Sequence, residues 1–499
     1  MQAVAVGGGS ARRGRWLAPP LAAAAALLLL APASQAQDQV LLAAAGTFVP
    51  PVIATDAGQG LDFQNTDVLP HDVVSQDVDD AGNPLFRSPV VPGGARTDVA
   101  RVEKLAAGTY PFFCSLHSWM KGALQVTLPG GIPPPVTPVP DAGAVGVSGA
   151  VPTPTSVEVF EGSVYATSYA TGNVFSLPIL PEGVLGPATP YATGFTNPLG
   201  VTFGPDGTMF VADSHASARD DRTTGGRVTA IPRGGGDAAS VGQVVIDELP
   251  NGRHNTNGMA VHNGRLYIAN GSSTDDGTAG GDPEEPLSGT LLSVPLAARG
   301  LVVGPPSAPL PAGLTVEATG MRNVYDVAFR PGTSEAWVPT NGPDTQDPWG
   351  EDLLHRVDVG GGPLDFGFPE CVYQAGPGGP TEPVFNQSAN AAITAKCTAG
   401  SHAPPEVTLG LHTSADGLAF GPQREWGGDL YIALFGNFFG NEIVGHRVVR
   451  VPMGPGGVAG APVDVIFAAA PLDLTFGPPG TGMYVADFGA GQILLVKPL

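Results

Sequence analysis

Hydrophobic and polar positions alternate over short stretches along most of the chain, and Gly or Pro clusters interrupt the alternation. A period of two marks half-buried β-strands, and the interruptions mark turns. "TFVPPVIATDAGQGLDFQNTD" reads as two short strands around an Ala-Gly-Gln-Gly turn. "GTYPFFCSLHSWMKGALQV" reads as strands "TYPFFC" and "ALQV" with a loop between them. No long stretch carries the apolar spacing of an amphipathic helix.

From about residue 155 onward a weak repeat appears: a strand, a turn, a strand ending in an acidic or polar residue, then a basic-apolar strand. The copies are "VEVFEGSVYATSY", "LGVTFGPDGTMFVADS", "NGMAVHNGRLYIANG", "YDVAFRPGTSEAWVPTNG", "DGLAFGPQREWGGDLYIALFG" and "LDLTFGPPGTGMYVADFG". Six copies of four-stranded character predict a six-bladed β-propeller. Their uneven spacing predicts long inserts gathered on one face, where sites are built. Between the two regions, Leu128 to Gly143 ("LPGGIPPPVTPVPDAG") is a Pro-rich, extended connector.

Composition refines this picture. The chain has 499 residues, enough for more than one domain. Gly (71) and Pro (52) are abundant, yet 42% of residues are hydrophobic, which argues for many turns and not for disorder. The formal net charge of -22 disfavours nucleic acid and anionic membrane surfaces as partners. At the N-terminus, Arg12, Arg13 and Arg15 precede the apolar run Leu21 to Leu30. Small residues Ser34 and Ala36 then flank Gln35. This is the layout of a secretory signal peptide over residues 1–36. No later apolar run reaches membrane length, so the expectation is a periplasmic or secreted protein with no membrane span; the Arg12-Arg13 pair leaves the export route open.

Three cysteines in an exported chain leave one odd thiol. Cys371 and Cys397 share a loop-rich region, and an oxidising compartment favours a disulfide between them. Cys114 is left over. It stands in "CSLHSWM" with His117 and Met120, and His71 begins an earlier strand. Two imidazoles, a thiolate and a weak thioether are the donor set of a blue copper site. Zinc, the chemical rival, favours Cys/His sets without Met.

These residues resemble the cupredoxins, most closely the small plastocyanin- and amicyanin-like branch. "FQNTDVLPHDVVS" and "GTYPFFCSLHSWMKGALQV" carry the resemblance, which spans residues 40 to 127. It implies a Greek-key β-sandwich and a type 1 copper held by His71, Cys114, His117 and Met120. Phe112, Phe113 and Trp119 are expected around the sulfur. Such a centre passes single electrons and leaves no position open for a substrate.

The second region resembles the glucose/sorbosone dehydrogenase family through "LPNGRHNTNGMAV", "GMRNVYDVAF" and "NGPDTQDPWGEDLLHRVDVGGG". The resemblance implies a propeller that oxidises sugars with pyrroloquinoline quinone (PQQ) and calcium. His254 matches the catalytic base and Arg322 the arginine beside quinone and reacting oxygen. Asn323 is its neighbour at the cofactor, Gly342 and Pro343 match a calcium site of backbone carbonyls, and Asp352 matches an acidic calcium ligand. One segment departs from the family: where a basic run is usual, Phe435 to Glu442 reads "FGNFFGNE". His215, His262, His355, His402, His412 and His446 show no metal spacing and read as structural or surface residues. "SSTDDGTAGGDPEE" (Ser272 to Glu285) reads as a solvated loop.

The expectation is therefore an all-β chain: signal peptide 1–36, copper domain 37–128, linker 129–150 and propeller 151–499. The first functional reading is a sugar dehydrogenase with its copper electron acceptor tethered in the same chain, handing electrons on to an unassigned redox partner protein. The second is a copper electron-transfer protein whose propeller is a non-catalytic docking module.

Overall fold

The computed structural model describes residues 39–498 apart from 45–46, 50–51, 80–81, 107, 128–144, 216–224, 280–281, 345–349, 374, 377–378, 381–383, 386–401 and 438–443. The expected signal peptide, most of the Pro-rich connector, and Cys397 of the expected disulfide lie outside the described residues. The described chain is almost entirely β. Its two α-helices, Ala238–Val241 and Gln423–Trp426, are single turns. Among the described residues no helix is long and apolar enough to cross a membrane.

The first domain has eight strands: β1 Gln39–Ala44, β2 Thr47–Val49, β3 Val52–Asp56, β4 Leu61–Asn65, β5 Val74–Ser75, β6 Arg96–Asp98, β7 Gly108–Cys114 and β8 His117–Thr127. They form two sheets, ordered β2-β1-β4-β6 and β3-β8-β7-β5. β1 pairs parallel with β4, and β3 parallel with β8, so the chain crosses over instead of running as hairpins. Alternation builds the core. In β4, Leu61, Phe63 and Asn65 are buried while Asp62 and Gln64 lean outward. One apolar cluster takes Leu41 and Phe63 from one sheet and Phe112 and Leu124 from the other. Phe112 is its hub, edge-on to Phe48 at 4.9 Å and to Phe86 at 6.3 Å. Truncating such a buried ring costs about 3–5 kcal/mol.

The second domain contains six sheets of four or more strands among the described residues. In five of them four strand positions run antiparallel in chain order, as short apolar strands joined by Gly-rich turns do, and in three of these a two-residue strand adds in parallel at the outer edge. The sixth is completed from a distance. Val145–Ala150, within the stretch assigned to the linker, pairs antiparallel with Gln492–Val496. The start of this domain is thus stitched to its end.

The first strands of the six sheets meet one another in sequence. Val201 N donates to Ser156 Oγ at 3.3 Å, Gly258 N to Tyr325 O at 2.7 Å, Leu418 N to Asp326 Oδ2 at 3.2 Å and Val157 N to Asp473 Oδ2 at 2.8 Å. The two remaining junctions are glycine contacts. A Cβ on Gly200 would lie 2.3 Å from Asn257 O, and one on Gly417 would lie 2.1 Å from Asp473 Oδ1. Only glycine permits backbones to approach this closely. The Val157–Asp473 bond links the first of these sheets to the sixth.

Candidate functional site

Two sites emerge, one in each domain. In the first, β7 ends at Cys114 and β8 begins at His117, and the two residues pair across the Ser115-Leu116 turn. His71 arrives from another loop, held by a two-way backbone bridge to Val91 at 3.0 and 2.7 Å. Three donor atoms converge: Cys114 Sγ is 3.7 Å from His71 Nδ1 and 3.5 Å from His117 Nδ1, and the two Nδ1 atoms are 3.0 Å apart. These are the separations that metal–ligand bonds of about 2.0–2.3 Å impose on neighbouring ligands. Among the described residues this is the one cluster of three or more His, Cys, Asp or Glu side chains with metal-ligand spacing. Met120, fully buried, belongs to the same core cluster as Cys114 and Phe112.

The surroundings suit a cation. His71 Nε2 meets Asp67 Oδ2 at 3.2 Å, which fixes the proton on Nε2 and leaves Nδ1 as a bare lone pair. Burial, then the neighbouring His71 imidazole, lowers the His117 pKa and keeps its lone pair available. Burial pushes the Cys114 thiol up, so a metal must displace its proton. Asp72 ties the two ligand loops together: Ser115 N donates to its Oδ1 at 2.7 Å and Ser115 Oγ to its Oδ2 at 2.6 Å. Phe112 lies below Cys114, two residues back on the same face, whereas Phe113 is half-buried on the other face.

In the second domain a cavity of about 1000 Å³ gathers residues from all six repeats. His254, Arg322, Asn323, Gly342 and Asp352 all line it. Pro343 instead lines a small adjoining cavity of about 30 Å³, beside Glu351 and His355. Tyr169, Phe435 and Phe488 supply aromatic surface.

His254 Nδ1 lies 2.9 Å from Ser272 Oγ and 3.2 Å from Ser272 O. Ser272 Oγ donates its own proton to Thr274 O at 2.7 Å, so it accepts from the imidazole. Nδ1 therefore carries the proton, and Nε2 keeps its lone pair. Burial, then the Arg322 and Arg253 charges, hold His254 well below the usual imidazole pKa. Arg322 is buried and its fork is shared. It pairs with Asp275 and, at 3.1 Å, with Asp344, while Arg253 also pairs with Asp344. Asn257, Asn323 and Asn341 form a buried chain of side-chain hydrogen bonds of 3.1 and 2.6 Å.

Asp352 Oδ1 accepts from Gly342 N and Oδ2 from Thr413 Oγ1, each at 2.8 Å. Burial raises its pKa to about 6 despite those donors. Its folded value lies above its unfolded one, so its contribution to stability is complete below about pH 4 and is lost as pH rises through about 6. One such shift corresponds to roughly 3 kcal/mol. Burial also raises Asp416, Asp326 and Asp473. Without added cations the second domain is thus expected to melt higher at pH 5 than at pH 8. Asp352→Asn should flatten part of that slope in calorimetry; an unchanged slope refutes the assignment to Asp352.

Residues 20–126 match the family model for a cupredoxin-like domain. The first domain is a cupredoxin-like domain. The three convergent ligand atoms, β7, β8 and the His71 loop all belong to it. The comparison with curated proteins found no significant match. Among solved structures, a family AA12 carbohydrate-active enzyme from Trichoderma reesei aligns with TM-score 0.56 and 16% identity, covering 73% of this chain and 98% of its own. The PQQ domain of a pyranose dehydrogenase from Coprinopsis cinerea, in holo form, aligns with TM-score 0.52 and 14% identity over 73% and 99%. At these identities the second domain shares their fold.

Several residues at the site carried no sequence signal. Asp275 and Asp344 sit far from Arg322 in the chain. His412, read from sequence as structural or surface, lines the cavity. Phe435 and Asn437 line it where the sugar dehydrogenase pattern has a basic run. Arg447 and Arg450 do not compensate: they pair with Asp464 at 3.0 Å and Asp429 at 2.8 Å within their own sheet. The start of the stretch read as a solvated loop is not solvated: Ser272 and Thr274 are buried. Cys371 is buried, with Sγ 4.0 Å from His402 Nδ1.

Proposed function

We propose that the chain is an exported sugar dehydrogenase with its electron acceptor built in: a cupredoxin-like copper domain followed by a six-bladed propeller that oxidises an aldose with PQQ. The observation that carries this reading is the coexistence of two sites in one chain. One has the soft donor set of a one-electron metal; the other is a large cavity holding a neutral base beside two arginines.

The residues fit the groups the reading needs. His71, Cys114, His117 and Met120 offer the nitrogen and sulfur donors of a copper centre. Arg253 and Arg322 offer charge to an anionic cofactor, and Tyr169, Phe435 and Phe488 offer faces to a planar one. Gly342, Pro343 and Asp352 offer oxygens to calcium. When bound, the quinone supplies a two-electron acceptor and copper a one-electron acceptor. The chain's own groups do the rest. His254 Nε2 takes the proton from the sugar hydroxyl, and Ser272 holds the imidazole in the tautomer that makes this feasible. Arg322 stabilises negative charge on the reacting oxygen, held in place by Asp275 and Asp344. The tether raises the effective concentration of copper at the cavity without new contacts.

Copper tuning gives a prediction of its own. Asp72 places a carboxylate between His71 and the Cys114–His117 turn, and negative charge there favours Cu(II) over Cu(I). Asp72→Asn is expected to raise the reduction potential by roughly 50–150 mV, from a unit charge acting at a few ångströms in a medium of intermediate dielectric. Redox titration of the blue band reads it, and an unchanged or lower potential removes the charge argument.

The decisive experiment loads the protein with Cu(II), calcium and PQQ, adds aldoses anaerobically and follows the blue absorption. Bleaching that requires both sugar and quinone supports the dehydrogenase. A blue band that no sugar bleaches favours the second reading, a copper electron-transfer protein with a docking domain. The full pairing of Arg322 with two aspartates speaks for that alternative.

A further inference from the structure

One acidic side chain outside the cavity is wired to it. Glu284 accepts from four groups on two residues, Ser273 N and Oγ and Thr274 N and Oγ1, and Ser288 Oγ divides its one proton between Glu284 and Glu285 O. Further bonds brace the clamp. Glu285 N donates to Ser273 Oγ at 3.0 Å, and Gly277 N donates to Thr274 Oγ1 at 2.8 Å. Every donor facing the carboxylate is an N–H or a hydroxyl, so both oxygens are used as acceptors and an amide in this place would set one N–H against another.

The clamped residues lead straight to the site. Ser272 precedes them, and its hydroxyl can accept from His254 Nδ1 only because its own proton is committed to Thr274 O. Thr274 is held at both its backbone N–H and its hydroxyl by Glu284. Asp275 follows, and its main-chain carbonyl accepts from Arg322 Nε at 2.9 Å while its carboxylate pairs with the same guanidinium. One short turn therefore sets the proton position on His254 and the seat of Arg322, and Glu284 fixes that turn.

We propose that Glu284 is the positioning residue that locks His254 in its Nδ1–H tautomer, acting through Thr274 and Ser272. The consequence for catalysis rests on the reading of His254 as the base; the tautomer itself does not. With the clamp intact, Nε2 is the basic atom. With it loosened, Ser272 Oγ is free to rotate and donate its proton to Nδ1, moving the imidazole proton to Nε2 and removing the base from the cavity. No group is gained or lost in that change; one proton moves between the ring nitrogens.

The test uses the full-length protein loaded with Cu(I), which is diamagnetic, with 15N-labelled histidine. Long-range 15N–1H correlation spectra separate the two tautomers, and the His254 signals are those missing from His254→Gln. Wild type should show the Nδ1–H form alone. Glu284→Gln should show a mixture or the Nε2–H form, with the other histidine signals in place. Glu284→Asp, which keeps the charge but retracts it, is the second variant should the first fail to fold, and should show a smaller fraction of the Nε2–H form. Ser272→Ala, which keeps the Ser272 carbonyl 3.2 Å from Nδ1 as an acceptor, should weaken the preference by itself, and adding Glu284→Gln to it should change nothing more. A wild-type Nε2–H tautomer, or a folded Glu284 variant with a pure Nδ1–H signal, overturns the proposal. Absence of sugar oxidation in a wild type that shows the Nδ1–H signal overturns the dehydrogenase reading and leaves this inference standing.

Discussion

Cys114→Ser is expected to abolish the blue absorption of the copper-loaded protein and, under the proposed function, any sugar-dependent electron delivery to the metal. The physical case is direct. Cys114 Sγ is the soft member of a trio whose other members are the Nδ1 atoms of His71 and His117, at 3.7 and 3.5 Å. The intense colour of such a centre comes from the thiolate–copper bond. A serine hydroxyl is harder, shorter and does not ionise at neutral pH. Copper affinity is expected to fall by more than roughly 100-fold, the upper end of what loss of a mere outer-shell partner costs. The fold should survive, because Cys114 is one small side chain in a core centred on Phe112, Phe48 and Phe63. Optical spectra with copper titration and a circular-dichroism melt decide it. A variant that stays blue would mean that the metal sits elsewhere.

His254→Ala is expected to lower sugar-dependent reduction by roughly 10²–10⁴-fold, the usual range for a lost general base. The structure supports the base assignment through the proton inventory. Nδ1 is committed to Ser272, and Nε2 makes no hydrogen bond to the described residues. A pKa held well below the usual imidazole value by burial and by Arg322 and Arg253 keeps the ring neutral through mildly acidic pH. The rate should therefore not fall between pH 7 and pH 6 through protonation of His254, as it would with an ordinary imidazole. Stopped-flow bleaching of the copper band in wild type and variant, across pH, measures both effects. Retained turnover in the variant would place the base at another residue; His412, on the same cavity wall, is the first to test.

How much of this was legible beforehand depends on the distance along the chain. The candidate ligands Cys114, His117 and Met120 were readable as a group because they fall within seven residues, at the end of one strand and the start of the next, so local spacing and spatial spacing nearly coincide. His71 entered the donor set as the second imidazole, from the start of an earlier strand, and the resemblance to cupredoxins placed all four in order. Asp72 was missed, although it stands next to a ligand, because nothing local shows that it reaches Ser115. The cavity was harder. His254, Arg322 and Gly342 could be marked by motif, and all three line it. The partners that decide their chemistry could not. Ser272, Asp275 and Asp344 come from turns that only the contacts between sheets bring together, and the Ser272–Glu285 stretch, rich in acids and glycine, has the composition of a solvated loop. Its first residues are instead buried, and Glu284 folds back to accept from Ser273 and Thr274.

The amino-acid sequence alone determined that this is a β protein, that it has a copper-type donor set in its first domain and that its second is built from a repeat. Those properties are periodic or local: alternation at every second residue, Gly-Pro punctuation, ligands a few residues apart. Tertiary structure alone decided which proton His254 carries, why Arg322 is already paired, and how residues 145–150 close the last sheet. Each of these depends on hydrogen bonds between groups far apart in sequence. Their geometry is set by backbones that approach as closely as Gly200 and Gly417 allow, and no short window of sequence contains both partners.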